Sequence, residues 1–120
     1  MSLFRAIPIH VHAALEVVAA PLLMVAPFVL GFDHLAGAMS IGLGILLVGL
    51  ASSVYDNGDR GSLPLTAHAG LDYALAVITM IAGAVAGIAG DFVASVFLVG
   101  FGSAHMALTA STRFSRPLGT

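Results

Sequence analysis

The sequence predicts an all-α fold: a four-transmembrane-helix bundle made of two tandem parallel two-helix repeats. Three observations lead there. Hydrophobic residues make up 59% of the 120 positions and charged residues 8%, and the mean hydropathy is +1.07. Soluble domains carry about 25% charged residues, and so short a chain cannot hide this much apolar surface in a core, so its solvent is lipid. Four apolar runs, 7–32, 35–54, 63–90 and 92–110, each approach the ~20 residues needed to cross the hydrocarbon. Finally, the second half repeats the first at an offset of 56 positions. Pro8, His12, Ala13, Leu15, Ala20, Met24 and Ala26 recur as Pro64, His68, Ala69, Leu71, Ala76, Met80 and Ala82. The word P-[IL]-x-x-H-A-x-L-[ED] carries the repeat, because Pro, His and acid are rare here.

The chain reads as one membrane domain, 1–120, with repeat 1 at 7–54 and repeat 2 at 63–110. Span 1 holds Pro21 and Pro27, both expected to kink it. Gly31-Phe32-Asp33-His34 closes the first hairpin and starts span 2. The polar segment from Tyr55 to Ser62, with its Asn57-Gly58 turn, joins the repeats. Span 3 then mirrors span 1, and Gly90-Asp91 turns it into span 4. With two spans per repeat both copies enter from one side, related by a pseudo-twofold along the membrane normal. Offset 56 also pairs Ala38 with Ala94, Gly44 with Gly100 and Ala51 with Ala107. Gly83-x-x-x-Gly87, Ala82-x-x-x-Ala86, Ala38-x-x-x-Gly42 and Gly100-x-x-x-Ala104 are expected to pack helices within the bundle, or a homodimer.

All four basic residues, Arg5, Arg60, Arg113 and Arg116, fall on one side of this topology. The positive-inside rule then puts both termini and the middle loop in the cytoplasm, with the chain in a bacterial inner membrane. No cysteine is present, so disulfides and thiolate metal sites are excluded. A net charge of −2 gives no basis for nucleic-acid binding. No nucleophile arrangement, phosphate loop or catalytic carboxylate pair is visible, and the protein is not expected to be an enzyme.

Ionisable groups within a span are costly, and each requires a partner or a task. Five stand out: His12, Glu16, His68, Asp72 and His105. In spans 1 and 3 the acid follows the His by four residues, on one face and one turn away. Glu16 and Asp72 lie roughly 13 Å in from the cytoplasmic side, and His105 on returning span 4 lies roughly 9–10 Å in. All five therefore share one layer. That layer suits three roles. Reciprocal pairing of His12 with Asp72 and His68 with Glu16, or of each His with its own acid, would hold the repeats together. A ligand site would use His12 and His68 on a haem iron, with His105 nearby, or His12, Glu16, His68 and Asp72 on a divalent transition metal such as Zn, Fe or Mn. A proton or ion relay is the third, although the outer half of the bundle lacks ionisable groups. His10 and His34 are expected at the interface or in the turn, with Tyr55 and Tyr73 as interfacial contacts.

Two tandem two-span units, with Ala26-Pro27-Phe28-Val29-Leu30-Gly31-Phe32 closing the first helix, resemble the SPW-repeat family of small bacterial integral membrane proteins. Ala26 stands where that family has Ser, Phe28 where it has Trp, and Ala82-Gly83-Ala84 replaces the word in the second copy. The resemblance implies a small integral membrane protein and transfers no catalytic residue. The expected function is structural or accessory, as a possible subunit of a larger membrane complex whose His–acid layer joins the repeats. The alternative is a haem- or metal-binding electron-transfer protein using His12 and His68.

Overall fold

The computed structural model describes residues 5–54 and 63–115. Among these, four helices form the bundle: α1 Ile9–Leu30, α2 His34–Ser52, α3 Leu65–Ile88 and α4 Phe92–Ala110. Each is long and apolar enough to cross a membrane. At 1.5 Å per residue they run about 29–36 Å, the thickness of a hydrocarbon core. Side chains that face outward are themselves apolar, with Phe28, Ile88 and Phe92 at 79%, 90% and 76% exposure. This is the surface of a multi-pass membrane protein.

Packing is closest within each hairpin, α1 on α2 and α3 on α4, while α2 on α3 and α1 on α4 join the hairpins. Leu23, Leu43, Leu47 and Leu98, with Ala20 and Ala82, fill the centre. Helix α1 continues through both Pro21 and Pro27 and ends at Gly31, whose φ of 71° caps it in the left-handed region. Gly90, at φ 96°, makes the corresponding turn after α3. Asp91 ties the two turns together: one carboxylate oxygen accepts from Ala94 N at 3.1 Å, the other from Asp33 N at 2.7 Å.

The structure changes the repeat register. Helix α3 is two residues longer than α1, and the second helices correspond at an offset of 58, not 56. Gly44 of α2 packs on Ala20 and Met24; the matching contact on Ala76 and Met80 is made by Gly102, not Gly100. Likewise Asp33 and Asp91 precede α2 and α4, and buried Ala36 matches buried Ala94. The 56-residue identities in these helices, Ala38/Ala94, Gly44/Gly100 and Ala51/Ala107, are therefore coincidences of an Ala- and Gly-rich composition.

The small-residue motifs divide accordingly. A Cβ on Gly83 would meet Val99 N at 2.9 Å, and one on Gly87 the Ser95 hydroxyl at 2.8 Å, so this pair does bring α3 against α4. A Cβ on Gly42 or Gly100 would meet nothing within 4 Å among the described residues, and both, with Ala38 and Ala104, face outward. Those two motifs do not pack the bundle.

At the opposite end the segments that precede α1 and follow α4 meet. Residues Ile7–Pro8 (β1) and Thr112–Arg113 (β2) pair in parallel, and Ile7 N donates to Ser111 O at 3.0 Å. Both ends of the described chain thus leave the bundle on one side. Arg60, Arg116 and Tyr55 lie outside the described residues.

Candidate metal centre

The word shared by the two repeats places its polar residues on the inner faces of α1 and α3. His12, Glu16, His68 and Asp72 are each at most 1% exposed, and His105 of α4 is 6% exposed. All five meet at one point, three to seven residues inside the ends of their helices. The expected pairings are both present at once. His12 Nε2 lies 2.8 Å from Asp72 Oδ2 across the bundle and 3.0 Å from Glu16 Oε2 along its own helix. His68 Nε2 lies 3.1 Å from Asp72 Oδ2 and 3.5 Å from Glu16 Oε1. His105 Nε2 adds 2.8 Å to Glu16 Oε2 and 3.4 Å to Asp72 Oδ1. Three imidazoles thus converge on two carboxylates in a single cluster.

Hydroxyls lie on the far side of two of the rings. Thr112 Oγ1 donates to Leu108 O at 2.6 Å, so toward His12 Nδ1, 2.8 Å away, it acts as acceptor. Ser53 Oγ donates to Leu50 O at 2.6 Å and likewise accepts from His68 Nδ1 at 3.3 Å. With each hydroxyl hydrogen on its backbone carbonyl, the tautomer that satisfies both groups carries its hydrogen on Nδ1. A neutral His12 or His68 then presents a bare Nε2 lone pair to the carboxylates. Lone pairs and carboxylate oxygens at these distances repel unless positive charge lies among them, as added protons or as a cation. Three buried atoms, Glu16 Oε1, His68 Nε2 and Asp72 Oδ1, have no hydrogen-bond partner among the described residues, and each lies within 3.5 Å of another member of the cluster.

The spacing suits a cation. One donor atom from each of His12, Glu16, His68 and Asp72 lies within 4.8 Å of the others. Ligands bound at about 2.0–2.2 Å stand roughly 3.0–3.5 Å apart in octahedral to tetrahedral geometry. The six Nε2–oxygen separations span 2.8–3.5 Å. Hydroxyl acceptors behind the imidazoles match the outer-sphere support that metal-binding histidines receive. A haem held axially by His12 and His68 does not fit. Oxygens of Glu16 and Asp72 already contact both Nε2 atoms, in the layer the macrocycle would occupy.

The cluster is asymmetric. At offset 58 the counterpart of His105 is Leu47, so only the second hairpin contributes a third imidazole. Phe114 packs beside the rings, with centroids 5.2 Å from His12 and 6.0 Å from His68. Ile9, Ala13 and Val54 complete an apolar plug at that end. Toward the turns, Ser40 and Thr79 donate to Leu23 O and Leu75 O. His10, His34 and Tyr73 lie on exposed positions.

Sequence reasoning missed Ser53, Thr112 and Phe114. The available signal was their position, hydroxyls and a ring at the ends of spans 2 and 4 expected on the cytoplasmic side, next to the His–acid layer. Comparisons with protein-family models, curated proteins and solved structures find no match.

Proposed function

We propose that this chain is an integral membrane metal-binding protein holding one divalent transition metal ion among His12, Glu16, His68, Asp72 and His105. The observation that carries the reading is the inward Nε2 of His12 and His68, each ring having its Nδ1 proton engaged by a hydroxyl behind it. Two carboxylates would neutralise a dication within the bundle, which answers the cost of burying charge in lipid. The ion would also serve as a cross-link. His12–Asp72 joins α1 to α3 and His105–Glu16 joins α4 to α1, so both contacts connect the two hairpins. This retains the accessory, repeat-joining role and gives it a chemical basis. Cytoplasmic termini in a bacterial inner membrane belong to the same proposal, on the strength of the arginine distribution.

Elemental analysis tests it. Protein produced without a polyhistidine tag and extracted in mild detergent is expected to carry about one equivalent of Zn, Fe or Mn after dialysis against chelator-treated buffer. The double variant Glu16→Gln, Asp72→Asn is expected to carry none. A folded, metal-free wild-type protein, or a metal-loaded double variant, overturns the proposal.

A further inference from the structure

Two lateral grooves open from the bundle toward lipid, at equivalent places in the two halves. One lies between α1 and α4 and has a volume of about 260 Å³; the other lies between α2 and α3 and has about 280 Å³. Leu15, Val18 and Leu22 line the first where Leu71, Ala74 and Ile78 line the second. Ala104 and Leu108 correspond in the same way to Leu46 and Leu50. Their inner ends differ. The α1–α4 groove reaches Glu16 and His105, whereas every residue lining the α2–α3 groove is apolar. The cause is visible in two positions. Asp72 is one methylene shorter than Glu16 and does not line the α2–α3 groove, and neither does Leu47, the counterpart of His105, which faces the α1–α4 groove instead.

We infer that the α1–α4 groove binds a bilayer-borne hydroxylated aromatic ring with an apolar tail, of the phenol or quinol class, and brings its hydroxyl to Glu16 and His105. The inference rests on the metal reading of the cluster, because charge selects the head. With a dication balancing Glu16 and Asp72, an anionic headgroup gains no net attraction and loses its hydration on entry. A neutral hydroxyl can donate to a carboxylate without that cost. Leu15, Val18, Leu22 and Leu108 suit an apolar tail arriving from lipid, and Phe101 offers a ring for edge or offset contact. The size favours one ring: 260 Å³ lies just below the about 300–1,000 Å³ of sites for drug-sized ligands, too small for a two-chain lipid. From Leu15 to Leu22 the groove runs about 10 Å along α1, so a tail leaves toward the bilayer centre.

The experiment measures binding of tritiated decylhydroquinone to the metal-loaded protein in phosphatidylcholine nanodiscs, corrected for protein-free discs. One site per chain is expected. Ala104→Phe fills the groove without touching the cluster and is expected to weaken binding at least tenfold with metal content retained. Leu46→Phe, its counterpart in the other groove, is expected to change nothing. Unlabelled decylhydroquinone is expected to compete and decanoate not to. Unchanged binding in Ala104→Phe, an equal loss in Leu46→Phe, or displacement by decanoate overturns the inference. Metal measured in the same samples separates the two claims. A metal-loaded wild type that binds no hydroquinone sinks this inference alone, and a metal-free wild type sinks both.

Discussion

Replacing single glycines by alanine distinguishes the two repeat registers, and the structure supplies the magnitudes. A Cβ on Gly44 would lie 2.9 Å from Ala20 O and 2.7 Å from Met24 Cγ. On Gly102 it would lie 2.8 Å from Ala76 O and 2.6 Å from Met80 Cγ. The methionine side chains can take other rotamers, but the carbonyls belong to helix backbone, so each hairpin must open by several tenths of an ångström. Overpacking of this kind costs about 1–3 kcal/mol. A Cβ on Gly42 or Gly100 would meet nothing within 4 Å among the described residues, and alanine there gains up to about 1 kcal/mol of helix propensity. Unfolding by SDS titration from maltoside micelles, followed by circular dichroism, is the assay. Gly44→Ala and Gly102→Ala are expected to destabilise alike, with Gly42→Ala and Gly100→Ala neutral or slightly stabilising. If Gly100→Ala costs as much as Gly44→Ala while Gly102→Ala is silent, the second helices follow offset 56 and the register argued from the turns is wrong.

Other consequences follow from the cluster and the turns. His105→Leu restores the symmetry that Leu47 already shows; it is expected to leave the bundle folded and lower metal affinity by tenfold or more, read by chelator competition. Thr112→Val removes the acceptor behind His12 Nδ1 and is expected to cost about 10–100-fold in metal affinity, measured in the same way. His12→Ala and His68→Ala are expected to destabilise comparably, and together by much less than their sum, because all five residues form one network, measured in the same titration. Asp91→Ala loses the Ala94 cap and the Asp33 contact, and is expected to cost about 1–2 kcal/mol with metal content unchanged.

Much of this architecture was legible because lipid imposes strong rules. Four apolar runs could only be helices, and the rarity of Pro, His and acid made the shared word audible against an Ala- and Gly-rich background. The depth of His12, Glu16, His68, Asp72 and His105 placed them in one layer before any contact was known. Three features escaped. The register of α2 and α4 was hidden because alanine and glycine match by chance at many offsets; Asp33 and Asp91, both opening a helix and both followed three residues later by buried alanine, held the 58-residue spacing. The direction of the histidine protons was illegible because it depends on Ser53 and Thr112, whose hydroxyls reach the rings only once the helix ends are packed. That the segments before α1 and after α4 pair as short strands also escaped, since two residues leave no periodicity to read.

X-ray absorption at the K-edge of the bound metal tests the central claim most directly. The account predicts nitrogen and oxygen ligands at about 2.0–2.2 Å, with outer-shell scattering from three imidazoles that falls to two in His105→Leu. A first shell of water oxygens without imidazole scattering, or a spectrum unchanged in His105→Leu, contradicts it.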